Sequence, residues 1–139
     1  MLSDLERSLY KSYLPDREMR RYRLPRSLDK VVLYPYSNGK RITASELEKA
    51  FPSTWAYLVQ HQKTLKSRGA VTKSSNPWWS PVRPRSPETI LRPKLVTPHL
   101  TILPRFSLDT AGSVLVSHSP FMILKDPTDE QTQLRFFLV

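Results

Sequence analysis

The sequence contains no cysteine. That excludes a disulfide framework and any thiolate metal site. It has three glycines in 139 residues, and no strand runs into a Gly-rich segment of the kind that cradles a nucleotide cofactor. No apolar run approaches the ~20 residues that a bilayer-crossing helix needs. Residues 1–14 are mixed polar, without the continuous apolar core of a secretory signal. The expectation is a cytoplasmic chain with no membrane partner. Acidic residues are scarce in one stretch above all: residues 49–105 hold a single carboxylate, Glu88.

What is present is globular. Hydrophobic residues make up 39% and charged residues 24%, enough apolar surface to form a core. The length fits one domain over 1–139, able to bury roughly two-thirds of its unfolded surface. The net charge is +10, and it is concentrated. Residues 49–105 carry ten Lys/Arg (Lys49, Lys63, Lys66, Arg68, Lys73, Arg83, Arg85, Arg92, Lys94 and Arg105), whereas twelve basic and eleven acidic residues nearly balance in the remainder. A localised cationic segment on an otherwise balanced chain suits phosphate neutralisation. It also suits a solvated face or an acidic partner protein.

Along the chain, Leu2, Leu5, Leu9 and Tyr13 stand at helical spacing and predict a helix over 2–14, with Ser3 or Asp4 at its start and Pro15 at its end. Residues 30–36 (KVVLYPY) read as a strand closing at Pro35, and Ser37-Asn38-Gly39-Lys40 as a turn. A helix starts near Thr43, where Thr43/Glu46 and Ser45/Glu48 both have capping-box spacing. Pro52 opens a second helix over 52–68, with Gly69 at the C-cap position. Residues 70–93 read as a stiff, extended loop, since seven prolines fall between 77 and 104. Strands are expected at 94–98, 105–109, 113–118 and 121–125, with Asp109-Thr110-Ala111-Gly112 as a hairpin turn. A last helix is expected over 128–139, capped by Thr128 or Asp129. The expected fold class is therefore α+β: an N-terminal helical arm, a helix pair near 43–68 and a small, mainly antiparallel sheet.

Five blocks, in this order, resemble a known family. They are LERSLYKSYLPDREMRRYR (5–23), VVLYPY (31–36), FPSTWAYLVQHQKTLKSR (51–68), WWSPVRPRSPETILRPKLVTP (78–98), and RFSLD (105–109) followed by Gly112. Together they resemble the TaqI-like C-terminal specificity domain, or target recognition domain, of N6-adenine DNA methyltransferases and fused type II restriction–modification enzymes. The matching patterns are the strand ending in Tyr-Pro-Tyr, the aromatic-Pro helix ending in Leu-x-x-Arg, and the Trp-aromatic, Arg-rich loop leading to a Pro-Lys-hydrophobic strand. The last is the Arg-Phe-x-x-Asp-x-x-Gly hairpin. The sequence stops short of a further segment that typical members carry, so a fragment of a larger protein is expected. The resemblance implies recognition of double-stranded DNA. It also implies a catalytic methyltransferase domain elsewhere in the same polypeptide, where S-adenosylmethionine would bind. This chain itself is expected to hold no cofactor and no catalytic residue.

Ser75-Asn76-Pro77-Trp78-Trp79 is similar to the Asn-Pro-Pro-aromatic loop of amino-methyltransferases, but Trp78 stands in place of the second proline and the preceding residues are polar. Trp78, Trp79, Arg83 and Arg85 form the leading candidate for DNA contact. Arginine can pair bidentately with guanine or a phosphate, and tryptophan can stack on a base. The alternative is that one Trp anchors the core and the arginines are solvated. Lys63, Lys66, Arg68 and Lys73 are candidates for phosphate contacts, which position without specifying, with a merely solvated helix face as the alternative. Arg92 and Lys94 are further candidates for DNA contact. Arg17, Arg20, Arg21 and Arg23 are interleaved with Asp16 and Glu18, so local ion pairs or a junction with another domain compete with DNA. His61, His99 and His118 lack metal-ligand spacing. Asp126, Asp129 and Glu130 fit helix capping. No metal is expected. Two other readings stay open: a free-standing nucleic-acid-binding module, and a module binding an acidic protein through residues 63–94.

Overall fold

The computed structural model describes residues 2–72, 75–81 and 85–124. Lys73, Arg83 and the helix expected over 128–139 lie outside the described residues. In chain order the elements are α1 (Asp4–Arg7), β1 (Tyr10–Tyr13), a 3-10 turn at Asp16–Glu18, β2 (Val31–Leu33), β3 (Tyr36–Ser37), β4 (Lys40–Arg41), α2 (Ala44–Ala50), α3 (Pro52–Gln60), α4 (Gln62–Lys66), α5 (Gly69–Thr72), α6 (Pro87–Ile90), β5 (Lys94–Val96), β6 (Ser107–Asp109), β7 (Val114–Leu115) and β8 (Phe121–Met122). Short helices with small, mostly antiparallel sheets make this an α+β fold, as expected. The chain divides into two compact units: Met1–Tyr10 with Leu33–Ser86, and Lys11–Val32 with Pro87–Val139.

The first unit is built on helix ends that the sequence specifies locally. Thr43 caps α2, its side chain accepting from the Glu46 amide while the Glu46 carboxylate accepts from the Thr43 amide. Such a box stabilises a helix by about 1 kcal/mol. Pro52 occupies the first turn of α3, where its missing N–H costs nothing. Phe51 gives α3 no side-chain cap, and Glu6 supplies one from elsewhere: its Oε1 accepts from the Thr54 amide at 2.9 Å. The same carboxylate closes the capping box of α1, accepting from the Ser3 amide at 3.2 Å. Burial alone would raise the Glu6 pKa, but these amide donors hold it below the ordinary value. Asn38 and Gly39 both have positive φ, the requirement of a tight hairpin joining β3 to β4. The core is Leu9, Ile42, Leu47, Phe51 and Leu58, with Trp55, Trp78 and Trp79 packed against it.

The second unit holds two sheets. One has the order β2-β1-β7, in which β1 runs parallel to β7 with Ser12 opposite Val114. The other has the order β6-β5-β8, antiparallel throughout, with Lys94 opposite Asp109. Leu14, Met19, Val96, Val114 and Val116 form its core.

Four local expectations are corrected. The N-terminal helix is one turn, not the whole of 2–14. Residues Tyr10–Tyr13 become β1 because β7 offers them a backbone ladder, and the Leu14 amide extends it to the Leu115 carbonyl at 2.9 Å. The helix over 52–68 breaks at His61 into α3 and α4, and Gly69 opens α5 instead of capping its predecessor. The loop at 70–93 contains two one-turn helices, α5 and α6. Residues 109–112 do not join a hairpin, since β6 and β7 belong to different sheets. There the Asp109 carboxylate accepts from the Ser113 and Val114 amides at 2.9 and 3.1 Å, and these bonds hold the turn that sends the chain away from β6.

Candidate nucleic-acid interface

In the first unit the basic residues gather around a tryptophan cluster. Trp55, on the half-buried side of α3, meets Trp78 at 5.6 Å and Trp79 at 5.8 Å between ring centroids, while Trp78 and Trp79 pack edge to face at 5.7 Å. Tilted and edge-on pairs exploit the ring quadrupoles and add about 0.5–1.5 kcal/mol each beyond area burial. Both expected loop tryptophans are therefore half-buried and packed on the core, each with part of its ring accessible. The Trp79 indole Nε1 is buried and has no hydrogen-bond partner among the described residues.

Lys63 and Lys66 are exposed on α4. The Lys66 ammonium sits 6.0 Å from the Trp78 ring centroid, at the outer range of a cation–π contact. Among the described residues no carboxylate pairs with either lysine. Arg41, which the sequence reading left aside, is exposed and donates to Asn76 Oδ1 at 3.2 Å. The edge of this unit thus carries cations beside partly accessible aromatic rings, an arrangement that suits phosphates and stacked bases.

Arg68 does something other than expected. Its Nε donates to the Leu65 carbonyl at 2.9 Å, and one terminal nitrogen donates to the carbonyls of Trp78 at 2.7 Å and Ser80 at 3.3 Å. Ser80 is buried and its amide closes a turn onto the Pro77 carbonyl at 3.0 Å. The guanidinium therefore clamps the Trp78–Ser80 turn to the end of α4 through Nε and one terminal nitrogen. Arg85 is half-buried, and its backbone carbonyl accepts from the Tyr34 hydroxyl. Tyr34 stacks on Tyr36 at 4.7 Å. Burial, then the neighbouring Tyr36, pushes its phenol pKa up to about 12.

In the second unit Lys94 is a clear correction. It is fully buried, and its Nζ lies 2.7 Å from Asp109 Oδ2 and 2.9 Å from the Ile90 carbonyl. A lysine enclosed in this way is a structural cation, not a phosphate contact. Burial alone would raise the Asp109 pKa, but the Lys94 ammonium and the Ser113 and Val114 amides hold it below its ordinary value. Arg92 is half-buried and donates to the Leu124 carbonyl at 2.9 Å. The acidic residues interleaved with the arginines near residue 20, for which ion pairs, a domain junction and DNA contact were all open, behave differently from one another. Glu18 meets Arg17 at 3.7 Å, but Asp16 accepts from the His99 amide at 2.7 Å and from the Ser119 hydroxyl.

The three glycines are spent structurally: Gly39 in the β3–β4 turn, Gly69 at the start of α5, and Gly112 against the Leu91 carbonyl. Among the described residues no three metal-ligating side chains come together, and no helix is long and apolar enough to cross a membrane.

No protein-family model matches the chain. It is 26% identical over 110 residues to the type II methyltransferase M.BanIII of Aneurinibacillus aneurinilyticus, a match covering 78% of this chain and 18% of that protein. The chain is thus a distant relative of part of a type II methyltransferase and spans under a fifth of that relative's length.

Proposed function

We propose that this chain is a DNA target-recognition segment of an N6-adenine methyltransferase, alone or within a fused restriction–modification enzyme. The observation that carries this reading is the similarity to a type II methyltransferase over 78% of the chain but only 18% of the relative. A part this small, with no glycine-rich loop to cradle a methyl donor, supplies something other than the donor site. S-adenosylmethionine and the catalytic groups then belong to the rest of the parent protein, which is also this chain's partner. The chain's own contribution is to hold the duplex in register while the target base leaves the stack.

Lys63 and Lys66 neutralise phosphates in this reading. The accessible parts of Trp78 and Trp79 lie against sugar or base edges, held in place by Arg68. Arg85, half-buried in the same unit, is a further candidate contact. The test is competition binding of the full chain to duplexes that differ in sequence, with heparin as competitor. Retention on one duplex sequence at heparin levels that strip the others supports the reading. Equal loss from all sequences leaves a nonspecific nucleic-acid module, and failure to bind any duplex removes DNA recognition altogether.

A further inference from the structure

The second unit presents a surface that this reading does not use. Residues 20–26 (RRYRLPR) put Arg20, Arg21, Arg23 and Arg26 in solvent. No ion pair reaches any of the four among the described residues. Their backbone is not loose. The Ser107 hydroxyl accepts from the Arg20 amide at 3.0 Å and donates to the Arg20 carbonyl at 2.6 Å, and the Tyr22 amide donates to the Phe106 carbonyl at 2.9 Å. Tyr22 itself has φ of 74° and an exposed ring. A non-glycine residue there is strained, and such strain persists where surrounding bonds enforce it, often at ligand-holding sites.

The segment stapled to this arginine loop is itself unusual. Residues 99–106 run from His99, whose amide is held by Asp16 at 2.7 Å, to Phe106. Between these anchors Leu100, Ile102 and Leu103 are 82%, 101% and 62% exposed. The Thr101 hydroxyl donates to the Leu103 carbonyl at 2.7 Å, which fixes a local turn at the tip. Single exposed aliphatics need no explanation, but three in four residues on an anchored turn beside arginines that have no ion-pair partner among the described residues do.

We propose that these two loops form one duplex-DNA contact, in which Arg21, Arg23 and their neighbours hold phosphates while Leu100 and Ile102 enter a groove as an apolar wedge. The proposal rests on the DNA-recognition reading but concerns different residues. The argument for this occupant is charge complementarity. A groove of duplex DNA is an apolar base stack walled by phosphates, and aliphatic side chains flanked by arginines match both parts. A fixed backbone suits phosphates at fixed spacing, whereas a fluid anionic membrane rewards no such rigidity.

The experiment uses the full chain and a duplex carrying 2-aminopurine, whose fluorescence rises when it unstacks. The Arg21→Ala/Arg23→Ala variant should reduce the slope of log K against log[salt] by about two, and Arg21→Lys/Arg23→Lys should retain it. Leu100→Ser/Ile102→Ser should leave the slope unchanged, weaken binding at least about tenfold and abolish the fluorescence rise. All these side chains are exposed, so each variant should keep the wild-type thermal midpoint. If both alanine and serine variants match wild type while Lys63→Ala/Lys66→Ala still flattens the slope, the wedge is refuted and the DNA-recognition reading stands. If the wild-type chain binds no duplex, both fail. If the serine variant loses only binding to phosphatidylserine vesicles, the surface belongs to a membrane and the proposal is wrong.

Discussion

The Lys94 ammonium and the Asp109 carboxylate face each other across β5 and β6 at 2.7 Å, with neither side chain exposed to solvent. Each is also satisfied by the backbone: Lys94 by the Ile90 carbonyl, Asp109 by the Ser113 and Val114 amides. The pair ties two strands to the turn that redirects the chain. It also gives a physical meaning to the Pro-Lys and Arg-Phe-x-x-Asp-x-x-Gly patterns, which are structural at Lys94, Asp109 and Gly112.

Removing one partner leaves a buried charge unpaired. Lys94→Ala or Asp109→Ala should destabilise the fold by about 3–5 kcal/mol, whereas Lys94→Met with Asp109→Leu should recover most of the loss. Denaturant unfolding of the three variants measures this. A double variant as unstable as either single one would show that the pair does more than satisfy itself.

Acid should weaken the fold through the same residue. The folded-state pKa of Asp109 lies below its ordinary value, so its contribution is complete above roughly pH 4. It is lost as pH falls through the depressed folded-state pKa. Glu6 and Glu46 act in the same direction. The thermal midpoint should therefore fall steadily below about pH 4, less steeply in Asp109→Asn measured against its own neutral-pH value.

Gly112 has φ of +63°, and an added Cβ would lie 2.2 Å from the Leu91 carbonyl oxygen. Both effects oppose any side chain. Gly112→Ala should cost at least about 2 kcal/mol, read from denaturant midpoints. A neutral substitution would mean that the backbone at Leu91 yields readily.

Arg68 should act on the tryptophan turn and only through it on DNA. Arg68→Ala releases the Trp78 and Ser80 carbonyls and should shift tryptophan emission while lowering stability by about 1–3 kcal/mol. Lysine cannot reproduce the forked contacts, so Arg68→Lys should rescue little. An emission spectrum and stability equal to wild type would contradict the clamp.

How much of this was legible in the sequence follows the range of each interaction. The Thr43–Glu46 box, Pro52 at the start of α3 and the Asn38-Gly39 turn depend on neighbours within four residues, and they formed as read. The segment Tyr10–Tyr13 has helical spacing, yet its partner strand lies at Val114–Leu115, and no local pattern announces that pairing. Lys94 looked like one more cation in a basic stretch because the carboxylate that buries it stands on the next strand. Arg68 looked like a phosphate ligand because the carbonyls it binds arrive only when residues 78–80 fold back. Ion pairs between the arginines near residue 20 and their acidic neighbours were one of the open readings; Glu18 meets Arg17, whereas Asp16 turns to His99 and Ser119. Charge is visible in a sequence, whereas its neutralisation depends on the fold.

The central claim is tested most directly by duplex binding of the full chain as a function of salt, for wild type and for Lys63→Ala/Lys66→Ala. The account predicts that log K falls linearly with log[salt] and that the double variant is shallower by about two. Binding that ignores salt, or a variant slope equal to wild type, would contradict it.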